Sequence, residues 1–409
     1  MSTAVAARGS EEKPLASWLR VPLAVLLVVL LYGIAASGFA YSHYLTSPFL
    51  AYGLAGTAFV VARVRRSWMD LLWLVVGVCS MVALDQGILR YRFYFLALCS
   101  FLGLSSLLVL GVRALWQENR RYIAFYAFLP CALLALGAVA TTYFLTNSTY
   151  LHPKTMDLYL LSADGSLGLP ISFWVGQLFD VPGPLRTLSV AYDILLLPIA
   201  LVYAMQLPDL KRARNALLAF VLAGPIGALC YSIVPGTGPL FLFGNQFPWT
   251  PPPFSLLRAI PPHPVVVRGE RNAMPSLHVA WMLLAYWNTY KSATWLRVAV
   301  GILLFLTLLA TLALGQHYFV DLVVAVPFSL AIQAVASVGM GTPRRGWSEP
   351  LAIGAALVAL WMALITYGTG FLWVSPAIPW LLVAGTLAVS LWSYSKLRKR
   401  EDQWLSSQA

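Results

Sequence analysis

The chain has 409 residues, of which 60% are hydrophobic and only 10% charged, with a formal net charge of +12. A soluble protein carries about 25% charged residues, so this composition excludes an ordinary soluble domain and implies an all-α polytopic membrane protein. In such a chain excess Lys and Arg marks cytoplasmic loops, which removes the positive charge as an argument for a nucleic-acid partner.

About twelve spans are predicted, at 21–43, 47–62, 68–86, 93–113, 122–145, 186–206, 215–234, 275–291, 296–315, 318–340, 351–371 and 377–395. Each approaches the roughly 20 apolar residues that cross a bilayer, 47–62 least well. The polar first twenty residues carry no short apolar stretch with a small-residue cleavage site, so the first span reads as an anchor. Basic groups follow the even-numbered spans: Arg63, Arg65 and Arg66; Arg113, Arg120 and Arg121; Lys211, Arg212 and Arg214; Lys291 and Arg297; Arg344 and Arg345; and Lys396, Arg398, Lys399 and Arg400. With Arg8, Lys13 and Arg20 before the first span, all fall on one side if both termini are cytoplasmic. Arg90, Arg92 and the basic residues of 235–274 stand on the other side. In this orientation His43, His152, His263, His278 and His317 all lie at or beyond the outer boundary, periplasmic or lumenal.

Two long outer segments interrupt the spans. The first, 146–185, holds Asp157, Asp164 and an apolar piece from Leu167 to Phe179, too short to cross and read as re-entrant or interfacial. The second, 235–274, is rich in Pro and Gly, and loops of this length are usually functional. Cys79, Cys99, Cys131 and Cys230 lie in apolar runs without a CxxC pair and read as core hydrophobes. Asp193 falls inside a span, where an acid is expensive: it reads as a buried hydrogen-bonding group or as a functional one. Asp70 and Asp85 read as boundary residues.

The chemistry concentrates near two histidines. His317 and Asp321 are four residues apart and share a helical face, so the carboxylate can hold one ring nitrogen and leave the other as an outward lone pair. A histidine held so can be a base, a nucleophile or a metal ligand; the same spacing also suits a structural pair joining two helices. His278 follows Pro275, and proline suits the first turn of a helix. A helix starting at Pro275 would turn its free N–H groups, from Ser276 onward, to an anion beside His278. Arg268, Arg271 and Asn272 complete a candidate anion cradle; headgroup contact or a solvated loop would explain the arginines equally.

The sequences Pro275-Ser276-Leu277-His278 and His317-Tyr318-Phe319-Val320-Asp321 resemble the Pro-Ser-Gly-His and His-x-x-x-Asp motifs of the type 2 phosphatidic acid phosphatase superfamily. The nearest branch is the one containing fungal inositol phosphorylceramide synthase. The resemblance implies a six-helix catalytic core at 122–340, an N-terminal membrane region at 1–121 with about four extra spans, and two C-terminal spans with a basic cytoplasmic tail at 341–409. It implies that His317 is the nucleophile, that Asp321 orients it, that His278 protonates the leaving group, and that the backbone at Ser276 and Leu277 helps hold the phosphate. It implies no cofactor and no metal, with a phospholipid and a lipid alcohol as substrates. The chain departs from the family at Ala310-Thr311, where the family has Ser-Arg, and at Leu277, where it has Gly; this puts the phosphate-binding groups in question. Other readings are a phosphatase using water on phosphatidic acid or an isoprenyl diphosphate, a transporter, and a metal enzyme using two histidines and a carboxylate.

Overall fold

The computed structural model describes residues 48–65, 68–85, 95–116 and 120–407. The expected span 21–43, together with Arg8, Lys13, Arg20, His43, Arg66, Arg90 and Arg92, lies outside the described residues. Helices dominate. Among the described residues the extended structure is a single antiparallel bridge, Thr155 to Val265. Among the described residues seven helices are long and apolar enough to cross a membrane, or up to nine if each of two broken pairs is one span. The protein is an all-α polytopic membrane protein.

The helices form two compact units. The first holds the described residues through Ala140 together with 193–213. It contains α1 (Pro48–Val64), α2 (Trp68–Leu84), α3 (Phe95–Trp116), the start of α4 (Leu129–Leu151) and, from later in the chain, α8 (Leu196–Gln206). Small residues bring its helices together, as is general where lipid offers no hydrophobic contrast. A Cβ on Gly56 would lie 2.5 Å from that of Ala200, and Gly103 backs directly onto the Leu54 backbone. Asp70, in the first turn of α2, is buried and pairs with Arg113 at 3.2 Å, while Arg113 also donates to the Val64 carbonyl at 3.1 Å. Such a pair is tolerated in an apolar interior because both charges are hydrogen-bonded.

The second unit holds 141–192 and 214 onward. It contains α5 (Asp157–Ser166), α6 (Ile171–Phe179), α7 (Pro182–Asp193), most of α9 (Leu210–Ile233), α10 (Leu277–Asn288), α11 (Thr294–Ala313), α12 (Phe319–Ala336), α13 (Arg344–Tyr367) and α14 (Ala377–Ser406). Within the expected short piece 167–179 the chain forms α6, which meets the preceding helix α5 at 91°. Gly168, at φ +74°, supplies the left-handed turn between them. The expected span 186–206 is broken into α7 and α8, and the expected span 275–291 contracts to the twelve residues of α10.

α12 is the centre of this unit, and most of its residues are buried. α13 approaches it closely because Gly354 has no side chain: a Cβ there would lie 2.6 Å from the Pro327 carbonyl. Three buried amides close a ring between α9, α10 and α12. Asn215 donates to Asn288 at 3.3 Å, Asn288 to Gln333 at 2.9 Å, and Gln333 back to Asn215 at 3.3 Å. The end of α14 grips the end of α10. Arg398 bonds Glu401, the Tyr394 hydroxyl and the Trp287 carbonyl, Ser337 donates to Glu401, and Asp402 accepts from Tyr290 and Lys291.

Candidate active site

At the opposite end of α10 the chain is extended through Ser276, whose side chain accepts a hydrogen bond from the Val279 N–H at 3.5 Å. The helix therefore starts at Leu277, two residues later than Pro275 implied, because Ser caps far better than Pro. His278 stands in its first turn, half-buried, and stacks on Tyr192 with ring centroids 3.7 Å apart and planes 16° apart.

His317 sits on the turn between α11 and α12. Gly315, at φ +64°, reverses the chain, and the N–H groups of Gln316 and His317 both return to the Thr311 carbonyl at 3.1 and 3.2 Å. From α6, Ser172 donates to the His317 carbonyl at 3.4 Å. The His317 side chain is only 1% exposed. Its Nδ1 lies 2.8 Å from the Ala273 carbonyl and 3.5 Å from Asp321 Oδ2. The carbonyl can only accept, so Nδ1 carries the proton and Nε2 the lone pair. Asp321 Oδ2 also accepts from the Tyr318 N–H at 2.8 Å, and Oδ1 is buried without a protein partner.

The two histidine rings are 6.4 Å apart, centroid to centroid, at 60°. That gap is on the scale of a phosphoryl group with a hydrogen bond of about 2.8 Å on one side. His278 is the more exposed of the two residues.

The structure brings His278, His317 and Asp321 together. It treats the expected anion cradle differently. The Ser276 N–H donates to the Asp321 carbonyl at 3.1 Å, and the Leu277 backbone sits against the Tyr231 hydroxyl. Arg271 is buried: its Nε donates to the His152 carbonyl at 2.9 Å, Nη2 to the Pro153 carbonyl at 3.3 Å, and Nη1 to the Gly269 carbonyl. Burial pulls this guanidinium below its ordinary pKa, with Asp157 opposing; beside it, burial pushes the Glu270 carboxyl up. Arg271 thus holds the loop. Arg268 is exposed, and Asn272 is half-buried with its Oδ1 buried and lacking a protein partner.

Three residues of this neighbourhood were not picked out as site residues from sequence. Tyr192 gives no local signal. Asp157 and Asp164 do, being two acids seven residues apart in an apolar chain, and both end up fully engaged beside His317.

Residues 158–335 match the family model described as the PAP2 superfamily. The matched segment contains His278, His317, Asp321 and Asp164, and Asp157 lies one residue outside it. Neither curated proteins nor solved structures gave a match. The family match supports the PAP2 superfamily for this chain, and with it phosphatase- or phosphotransferase-type chemistry on lipid phosphates.

Proposed function

We propose that the protein transfers a phospho-head group from a phospholipid to a lipid alcohol of the ceramide or diacylglycerol class, through a phosphohistidine. The observation that carries this reading is the histidine pair: one ring held as the Nδ1–H tautomer by Ala273 and Asp321, the other facing it at 6.4 Å. In the first half-reaction Nε2 of His317 attacks phosphorus and the P–O bond to the lipid breaks. The leaving oxygen takes its electron pair and a proton from His278. In the second half-reaction His278 takes the proton back from the acceptor hydroxyl, whose oxygen displaces His317. Asp321 offsets the positive charge on the phosphorylated ring.

The state of Arg271 favours a phosphodiester donor. With that guanidinium bound to carbonyls, the site is poor in free cations among the described residues. A singly charged diester suits such a site better than a doubly charged monoester. Arg268 and Asn272 are the groups left to meet the head group. The reading places the pair on the outer leaflet side, with both termini cytoplasmic.

Purified protein is incubated with head-group-labelled phospholipid, with and without ceramide or diacylglycerol. A labelled lipid product that requires the acceptor is the expected result. Label released as soluble phosphate instead identifies a phosphatase and overturns the transferase reading.

Asp321→Asn tests the division of labour around His317. The nearer acceptor, Ala273, still fixes the tautomer, while the negative charge is lost. The expected fall in kcat is about 10²- to 10³-fold, of the size general acid–base and electrostatic contributions usually have. A loss as complete as that of removing His317 itself would show that the carboxylate alone holds the ring.

A further inference from the structure

The run Pro235-Gly236-Thr237-Gly238-Pro239 looks like a backbone cradle for a phosphate. In the structure its N–H groups are already taken by an anion that the protein supplies. Asp157, fully buried at the start of α5, accepts from the Thr237 N–H at 3.0 Å, the Gly238 N–H at 2.9 Å and the Thr237 hydroxyl at 3.1 Å. It also accepts from the Tyr318 hydroxyl at 3.0 Å. Tyr318 is the residue after His317. Gly238, at φ +107°, lies so close to the Gln316 carbonyl that no Cβ fits between them. Gln316 is the residue before His317, so Asp157 ties together groups touching both flanks of the nucleophile.

Two helical turns further on, and therefore on the same face of α5, stands Asp164. Its two oxygens accept from the Phe319 and Val320 N–H groups at 2.7 and 2.9 Å, capping the helix that bears Asp321. A buried carboxylate is costly unless fully hydrogen-bonded. Here two such groups from one helix are directed at a single turn: Asp164 at its backbone, and Asp157 at the Tyr318 hydroxyl and at the 237–238 backbone that packs against Gln316. No bond joins either of them to a histidine ring, so their action on His317 is through its chain neighbours.

We propose that Asp157 is a positioning residue for His317, acting with Asp164 to clamp the 316–320 turn against the 236–238 loop and so set where Nε2 points. The inference rests on the phosphotransfer reading only for its effect on rate; the clamp itself is a geometric claim. A misplacement of a reacting group by about 1 Å can cost about 100-fold in rate.

The test uses the full-length protein in detergent with two variants. Asp157→Asn puts an NH₂ group where N–H donors point, leaving at least one of them facing a donor. Tyr318→Phe removes one hydroxyl and leaves the backbone bonds of Asp157 in place. Two quantities are read: kcat and KM on labelled phospholipid, and the rate at which diethyl pyrocarbonate modifies His317, followed by mass spectrometry.

The expected result for Asp157→Asn is a fall in kcat of about 100-fold with KM little changed. For Tyr318→Phe it is a fall of up to about tenfold, the worth of one hydrogen bond. His317 should be modified several-fold faster in both. Unchanged modification of His317 in the folded variants overturns the proposal, as does a loss confined to KM. Faster modification in a protein whose wild type turns over no lipid phosphate upholds the clamp and removes the phosphotransfer reading. If Asp157→Asn does not fold, Tyr318→Phe carries the comparison alone.

Discussion

Replacing His317 with alanine is expected to abolish turnover and to leave the chain unlabelled by phosphate, while the wild type takes up an acid-labile label on this residue. The loss should be at least about 10⁴-fold, because a covalent nucleophile has no neighbour that can take its place. His278, the other ring in the site, is in the proposed mechanism the proton donor to the leaving group. The substitution also strands the Ala273 carbonyl and further exposes the shortage of partners around Asp321, whose Oδ1 already lacks a protein partner. That costs about 1–3 kcal/mol of stability. A lowered melting temperature with a retained fold is therefore part of the expectation, and the measurement is turnover per folded molecule. Rapid-quench labelling checks the intermediate directly. Label on the His317→Ala protein, or turnover near that of the wild type, would rule out His317 as the nucleophile.

The second large effect is expected at His278. In the proposed mechanism alanine there removes the proton that the departing alkoxide needs, a contribution of about 10²- to 10⁴-fold. The size of the loss should depend on the leaving group. A lipid alkoxide is a poor leaving group and should suffer the full loss, whereas a nitrophenolate leaves unaided and should suffer little. Comparing the variant on a natural phospholipid and on a nitrophenyl phosphodiester checks this. Equal losses on both substrates would mean that His278 holds the substrate or the fold and does not act as the acid. Loss of the stacked pair with Tyr192 costs about 0.5–1.5 kcal/mol beyond buried area; the two-substrate comparison is insensitive to it, since both substrates meet the same protein.

His278, His317 and Asp321 could be picked out from sequence because they are rare ionisable groups at the ends of apolar runs; the four-residue spacing of His317 and Asp321 also brought them within 3.5 Å, although His317 lies on the turn before α12 and the two share no helical face. What surrounds them could not, since it is assembled from distant parts of the chain. Asp157 reaches Thr237 and Tyr318 across 80 and 161 positions, and Arg271 finds its carbonyls 118 and 119 positions away. An arginine next to a candidate anion site looks the same in sequence whether it faces a phosphate or its own backbone. The length of α10 was overestimated for a related reason. Apolar composition extends to both sides of it, but the helix is bounded by the Ser276 cap and by the turn at Lys291, whose φ of +62° no hydropathy pattern encodes.

The grip of α14 on α10 has a mechanical meaning. Twelve residues make a rod of about 18 Å, and an α-helix scarcely compresses along its axis. His278 is on the first turn of that rod, while the Trp287 carbonyl and the Asn288 amide are on its last. Whatever sets the position of the last turn therefore sets the position of His278. Arg398 and the amide ring of Asn215, Asn288 and Gln333 thus work as a distant footing, fixing from one end of α10 where the His278 ring stands at the other.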